Sequence, residues 1–481
     1  MVTAKAASRD SDSDSDSGST APPLPEWLHA VAGSPATTPM ESCSDVVAVI
    51  EEMDDARYAT KPSLEHAQAV GHVPEPDGGY GWVVVFASFL ANIVVVGLPS
   101  SFGVFQQAYQ EVPEFAGSSN LVIAFVGSLS STGIPLFSIL AGRFCDTHGP
   151  RAAMLIGALF TLIGVVSASF ATSIWHLHIT QGFLFSIGVS FGYIPSIGIL
   201  SNWFVKYRGL ATGFAVSGAG AGGLAFGPLL RYLLSNVGWR WTLRIAGIGC
   251  AVLMLVAALL IRERVKVKTS ARIDLSLFKD TLFLRVYAAI VCCSFAYFVP
   301  FYFVPLFSSQ HGMTKEQGAL LTGLLNGASG LGRILLGLSS DFLGPINMLV
   351  LCLTTSSLLL LLMWPFSTTF AVLATFVIIY GLFVGALFSL LPTVIAQLFG
   401  ARGNISTVTG MVFNGFLFGY LLGSPIAGVM ADRFTTWLPD GSKYIDFLPS
   451  ILFPGVCFLL GSIIFSTVRW TAARGKLLVR I

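Results

Sequence analysis

The sequence predicts an all-α membrane protein with twelve transmembrane helices in two pseudo-symmetric six-helix bundles. Of the 481 residues, 54% are hydrophobic and only 11% charged, and mean hydropathy is +0.76, which is far from the composition of a water-soluble domain. From Tyr80 onward the chain divides into twelve apolar stretches of about 20 residues, the length that crosses a bilayer. A G-x-x-x-D-x-x-G-P pattern, with Gly142, Asp146, Gly149 and Pro150, recurs 195 residues later as Gly337, Asp341, Gly344 and Pro345. Such an echo between two apolar regions marks an internally duplicated membrane unit.

Residues 1–77 form an acidic tail holding 14 of the 25 acidic residues and opening with a Ser-Asp alternation from Asp10 to Ser17. A segment so polar buries too little apolar surface to offset its ordering entropy and is predicted to stay disordered. It has no charged, apolar and small-residue succession of a cleavable signal, so the first membrane helix is expected to direct insertion. The first bundle occupies 78–261, with spans at 80–105, 119–141, 150–171, 175–200, 209–234 and 239–261. A basic linker follows at 262–283, containing Arg262, Arg264, Lys266, Lys268, Arg272 and Lys279. The second bundle occupies 284–471, with spans at 284–307, 317–340, 346–366, 370–398, 403–430 and 447–470, and a basic tail closes the chain at 472–481.

Orientation follows from the lysine and arginine bias. With a cytoplasmic N-terminus, the inner loops collect Arg143, Arg151, Lys206, Arg208, the basic linker, Arg402 and the C-terminal Arg469, Arg474, Lys476 and Arg480. The other side keeps mainly Arg240, Lys315, Arg433 and Lys443. Both termini are therefore expected in the cytoplasm, and the plasma membrane is the expected location. The duplication extends beyond the opening pattern: Gly188 and Pro195 match Gly385 and Pro392 at an offset of 197, and Arg208-Gly209 matches Arg402-Gly403. The seven cysteines are odd in number and mostly embedded in apolar runs, which predicts no structural disulfide and no metal site.

The segment Asp77-Gly78-Gly79-Tyr80-Gly81-Trp82 resembles the opening signature of the monocarboxylate porter family within the major facilitator superfamily. Trp203-Phe204-Val205-Lys206-Tyr207-Arg208-Gly209-Leu210-Ala211-Thr212-Gly213, followed by Gly218, resembles that family's motif leading into helix five. The likeness spans about residues 76–475, and Gly238-Trp239-Arg240 is most similar to fungal members. The loop from Gly142 through Arg143, Asp146 and Gly149 to Arg151 resembles the superfamily's motif between helices two and three. Physically, Asp146 is placed to accept hydrogen bonds from a neighbouring helix N-terminus, whose free amides and dipole favour an anion. Arg143 and Arg151 would tie that arrangement to the cytoplasmic side and bias the carrier toward one facing state. The alternative is that these charges only enforce topology.

Ionisable groups at membrane depth are costly, and Arg333, deep in the eighth span, stands out. Asn326, Gly330 and Gly337 share its face at helical spacing. Its planar fork suits a substrate carboxylate. Alternatively it is a structural arginine bonded to helix carbonyls. The resemblance adds that the family's essential helix-eight arginine aligns with Arg333. It also exposes two departures: Ser329 stands where better-known members carry an aspartate, and Ser100 follows Pro99 where they carry a lysine. Further candidate cavity residues are Asn92 and Ser101 in span one, Tyr193 and Ser196 in span four, Tyr297 and Tyr302 in span seven and Asn414 in span eleven. His176 and His178 are read as interfacial. The Gly218–Gly223 run lacks the Gly-Lys-Ser/Thr ending of a phosphate loop and is read as a close-packing surface.

These features predict a carrier of a small organic solute, a monocarboxylate-like anion, working by alternating access with no cofactor and no nucleic-acid partner. An exporter of a larger, partly aromatic metabolite is the first alternative, and a transporter-like nutrient sensor the second. No nucleophile–base or metal constellation supports an enzyme.

Overall fold

A computed structural model describes residues 77–115, 120–264, 275–400, 404–437 and 443–473. The acidic tail before Asp77, the centre of the basic linker, Arg402-Gly403 and most of the basic C-terminus lie outside the described residues. Among the described residues, eleven apolar helices are long enough to cross a membrane. One of them, Arg208–Leu260, is broken at Gly238 (φ 74°, ψ 168°) into two arms, which restores the predicted twelve. The first half comprises α1 (Gly81–Gln110), α2 (Phe125–His148), α3 (Pro150–Ala168), α4 (Ile174–Trp203), α5 (208–237) and α6 (239–260). The second comprises α7 (Thr281–Gln310), α8 (Glu316–Leu343), α9 (Pro345–Phe366), α10 (Phe370–Phe399), α11 (Ile405–Ala431) and α12 (Leu448–Ala472).

The twofold sequence pattern acquires a physical meaning at the helix ends. The first copy was expected in a loop, yet Gly142 to Asp146 lie on the last turns of α2, matching Gly337 to Asp341 on the last turns of α8. The turns themselves are Gly149 (φ 88°) and Gly344 (φ 93°), left-handed positions that stop a helix, each followed by a proline at the first position of the next helix. Other ends are set by side chains. Asp280 accepts the Leu282 amide at the start of α7, and Thr314 with Gln317 forms a capping box before α8. His176 completes a similar box with Ser173, and His178 Nε2 meets the Val122 carbonyl at 3.0 Å, so both histidines serve helix ends and packing.

Glycine-lined approaches hold each half together. A methyl on Gly218 or Gly222 would sit 2.3 Å from the Phe89 carbonyl or 2.4 Å from that of Ile93, so the Gly-rich run of α5 is a contact surface for α1. In the second half Gly332 and Gly385 let α8 and α10 approach as closely. A short antiparallel hairpin, Thr435–Trp437 with Lys443–Ile445, joins α11 to α12 and is an addition that hydropathy did not predict.

Across the halves, α2 lies along α11 and α5 along α8, and these contacts concentrate on the face bearing Asp77, Asp146 and Asp341, the motif face. On that side a methyl at Gly142, Gly209, Gly213, Gly337 or Gly410 would fall within 2.5 Å of an atom of the other half. Toward the opposite, far face the helices part. Gly220 and Gly330 still face each other, but nothing lies within 4 Å of a methyl at Gly223, Gly227, Gly323 or Gly327. A cleft therefore opens to the far face between α5 and α8.

Candidate functional site

Arg333 lies where the halves meet, at the inner end of that cleft, and is 8% exposed. Its Nη1 donates to the Val216 carbonyl of α5 at 3.0 Å, while its Nε is buried with no hydrogen-bond partner. The duplication explains this reach across the interface. Ser138, which stands 195 residues before Arg333, donates to the Gly410 carbonyl of α11 at 2.7 Å. Both residues thus bond a carbonyl of the opposing half, but only the second half places a cation there.

Aromatic and hydroxyl groups surround Arg333. Tyr297 of α7 approaches both Arg333 and Ser329, and its ring packs against Phe388 (4.9 Å) and Phe301 (5.6 Å). Tyr193 of α4, 1% exposed, packs on Phe413 of α11 at 5.5 Å. Phe416 and Tyr420 extend the cluster along α11. Tyr193 Oη and Ser329 Oγ are buried without partners, as is Arg333 Nε. Buried polar atoms are nearly always hydrogen-bonded, so two orphan hydroxyls beside an orphan guanidinium nitrogen mark a place built to receive a polar ligand. Among the described residues, no carboxylate side chain joins this cluster.

Asn92 borders it from α1. Its Nδ2 donates to the Ser88 carbonyl (2.8 Å) and to Ser196 Oγ (3.2 Å), leaving Oδ1 as another buried orphan. It immediately precedes a π-helical stretch, Ile93–Gly97, that leads into Pro99, whose missing N–H interrupts the regular ladder. Other predicted site residues fall elsewhere. Ser100 is exposed and bonds its own helix at Val96, Asn326 is exposed and bonds Thr322, and Tyr302 is 61% exposed at the edge of the aromatic cluster, against Phe298 at 5.9 Å. Asn414 donates to the Pro135 carbonyl, making it part of the α2–α11 seam. Sequence reading missed Phe388, Phe413 and Tyr420. Phe388 lies one turn beyond Gly385, which the duplication had marked, whereas nothing distinguishes the other two in a chain with 38 Phe and 12 Tyr.

At the motif face the two aspartates perform matching tasks. Asp146 accepts the amides of Ser406 (3.2 Å) and Thr407 (2.7 Å) and the Thr407 hydroxyl (2.6 Å) at the start of α11. Asp341 accepts the amides of Gly209 (2.7 Å) and Leu210 (2.9 Å) at the start of α5. Each carboxylate thus caps a helix of the other half, where free amides and the helix dipole favour negative charge. Arg143 and Arg151 are exposed, and their guanidinium groups form no hydrogen bond or ion pair among the described residues.

The signature before α1 meshes with the one before α5. Asp77 Oδ1 accepts the amides of Val205, Lys206 and Tyr207 at 2.8–3.0 Å, and the Asp77 amide donates to Trp203. Gly81 leaves room for Phe204 and Trp203, and Trp82 packs edge-on against Phe204 at 5.1 Å. Two motifs 130 residues apart thus form one clasp that fixes the entry to α5, the helix that Asp341 caps.

The family model described as Major Facilitator Superfamily matches residues 80–415. Monocarboxylate transporter 13 of Bos taurus is 31% identical over 74% of this chain and 84% of its own. An uncharacterized transporter of Saccharomyces cerevisiae is 30% identical over 84% of this chain, which spans 61% of the yeast protein's length. The agnestins efflux protein of Paecilomyces divaricatus is 29% identical over 82% of this chain and 88% of its own. Among solved structures, the Escherichia coli fucose:proton symporter aligns over 81% of this chain and 98% of its own at a TM-score of 0.64 and 14% identity, a likeness of fold alone.

Proposed function

The chain belongs to the major facilitator superfamily of multi-pass membrane transporters, and from that premise we propose that it moves a monocarboxylate-like organic anion by alternating access. The observation that carries this reading is the buried Arg333 with its orphan Nε, beside the orphan Tyr193 Oη and Ser329 Oγ. A carboxylate would take the guanidinium edge that Val216 leaves unused, as a charge-assisted bond in a poorly hydrated site. The rings of Tyr297, Phe388 and Phe413 would hold an apolar or aromatic body against it.

In this reading the motif face is cytoplasmic, as the lysine and arginine bias implies, and the structure is the outward-facing state. Asp146 and Asp341 are the latches of that state, because every bond they make to the other half must break when the inner side opens. The bovine monocarboxylate transporter supports the substrate class. The fungal efflux relative favours a second reading in which the same site exports a larger, partly aromatic metabolite.

The test is anion uptake and efflux in vesicles of known orientation, with Arg333→Lys beside the wild type. Lysine keeps the charge but loses the fork, and a lost charge-assisted bond of about 1.5–3 kcal/mol corresponds to a kcat/KM lower by about ten- to a hundredfold. Kinetics unaltered by the change would remove Arg333 from the site. The orientation of the faster flux separates uptake from export.

A further inference from the structure

We propose that the first half carries a phospholipid headgroup site at the far face, where Arg244 of α6 grips the phosphodiester of a lipid lying along the outer surface of α3 and α6. The inference lies outside the transport pathway and needs only that these helices cross a bilayer. α6 presents Ile245, Ile248, Val252, Leu255 and Leu259 to the exterior, and α3 presents Leu155, Leu159 and Ile163. Spacings of three and four keep each set on one helical face, so in a bilayer the two rows are apolar strips against acyl chains. Toward the far face each strip ends in an exposed ring, Trp241 on α6 and Phe170 just past α3. Trp175 and Trp239 begin α4 and α6 on the same side, as aromatic residues do where hydrocarbon gives way to headgroups.

Arg244 joins the two strip ends. Its guanidinium carbon lies over the Phe170 ring at 4.7 Å and over the Trp241 ring at 4.8 Å, and its Nε donates to Ser169 Oγ at 3.0 Å. Ser169 is fully buried, so the guanidinium is fixed in place while Nη1 and Nη2 hold no hydrogen bond among the described residues. One turn earlier Arg240 stands over the Trp239 ring at 4.8 Å, but Glu114 neutralises it at 3.2 Å. Arg244 has no such carboxylate among the described residues.

A cation five residues inside a membrane helix, about 7.5 Å from its start, is costly without an anion. Lipid phosphates supply an anion at that level, and the guanidinium fork fits two phosphate oxygens. The rings add their own attraction for the cation and a flat wall for the first methylenes of the chains. The duplication makes the arrangement one-sided. Phe366, 196 residues after Phe170, is again an exposed ring at the end of α9, but α12 carries no lysine or arginine before Arg469. The second half repeats the ring without the cation.

Titrating the full chain in detergent micelles with dioleoyl phosphatidylglycerol, and counting retained lipids by native mass spectrometry, tests the site without any transport substrate. The phospholipid is expected to be held about tenfold more tightly than dioleoylglycerol, which has the same chains and no phosphate. Arg244→Gln should bring the two lipids to equal retention, and Phe170→Leu with Trp241→Leu should weaken the phospholipid severalfold with Arg244 intact. Arg231→Gln, which removes an exposed cation of α5, should leave the preference unchanged. The ring pair decides by itself where Arg244→Gln does not fold. Equal retention of both lipids by the wild type, or a preference unaltered in Arg244→Gln or in the ring pair, would overturn the proposal. An equal loss in Arg231→Gln would overturn it by reducing the effect to general surface charge, and displacement of the lipid by excess inorganic phosphate would do so by assigning Arg244 to a free anion.

Discussion

Replacing Asp341 by asparagine should shift the protein toward its opposite-facing state without unfolding it. The carboxylate accepts two amides, from Gly209 and Leu210, at the first turn of α5. Hydrogen bonds to a charged group contribute about 1.5–3 kcal/mol each, and a favourable charge at a helix start about 0.3–1 kcal/mol. Asparagine keeps one neutral acceptor, so it forfeits one bond and the charge assistance of the other, a loss of about 2 kcal/mol. Because both bonds cross between the halves, nearly all of that loss falls on the facing equilibrium, a shift of about thirtyfold. Asn326 is exposed beside Gly327, where α8 borders the cleft, so a cysteine there reports far-face opening through its rate of labelling by an impermeant maleimide. The Asp341→Asn background should slow that labelling, and adding Asp146→Asn should slow it further, since the two latches cap different helices. Unchanged labelling in both backgrounds, with melting also unchanged, would refute the latch assignment.

Two further outcomes follow from contacts made by single residues. Gly213→Ala would place a methyl 2.1 Å from the Arg333 carbonyl, forcing α5 and α8 apart at the site. Overpacking of this kind costs about 1–3 kcal/mol, so the same labelling assay should show a depleted far-open state, whereas Gly227→Ala, with open space around it, should leave that state populated. Glu114 has its pKa lowered, first by its own backbone amide and then by Arg240, whose Nη2 lies 3.2 Å away. A lowered folded-state pKa stabilises above the ordinary glutamate range and loses its effect as pH falls through the lowered value. Glu114→Gln should therefore melt slightly below wild type at pH 7, by a small margin for so exposed a pair, and converge with it in acid once pH falls through the lowered value. A gap that persists or widens in acid would contradict that assignment.

Much of the site was legible as residue types at particular depths. Arg333 stands out in the sequence because a cation is costly inside an apolar span, and the structure places it at the seam between the halves. Asn92, Tyr193, Ser329 and Tyr297 were also within reach of sequence, as polar or aromatic residues on spans that line the interface. Depth does not fix azimuth, however. Asn326 shares a helical face with Arg333 yet lies above the point where α5 and α8 part, and Tyr302 touches the aromatic cluster at Phe298 but keeps most of its surface exposed. The motif on α2 was expected in a loop because the predicted second span ended at residue 141. In the structure Gly142 is small so that Ser406 can approach, and Asp146 is acidic so that α11 has a cap.

By itself, the sequence determined the number of membrane spans, the duplication and the identity of the buried cation. Span length, helix periodicity and the penalty on charge in an apolar medium are local properties. Tertiary structure alone decided which helix each motif aspartate caps, across separations of 131 to 261 residues, and which glycines are packed and which stand open. Those outcomes depend on how two rigid bundles lean against each other. A near-symmetric chain admits two such arrangements, and which of them a residue favours shows only when its partner in the other half is seen.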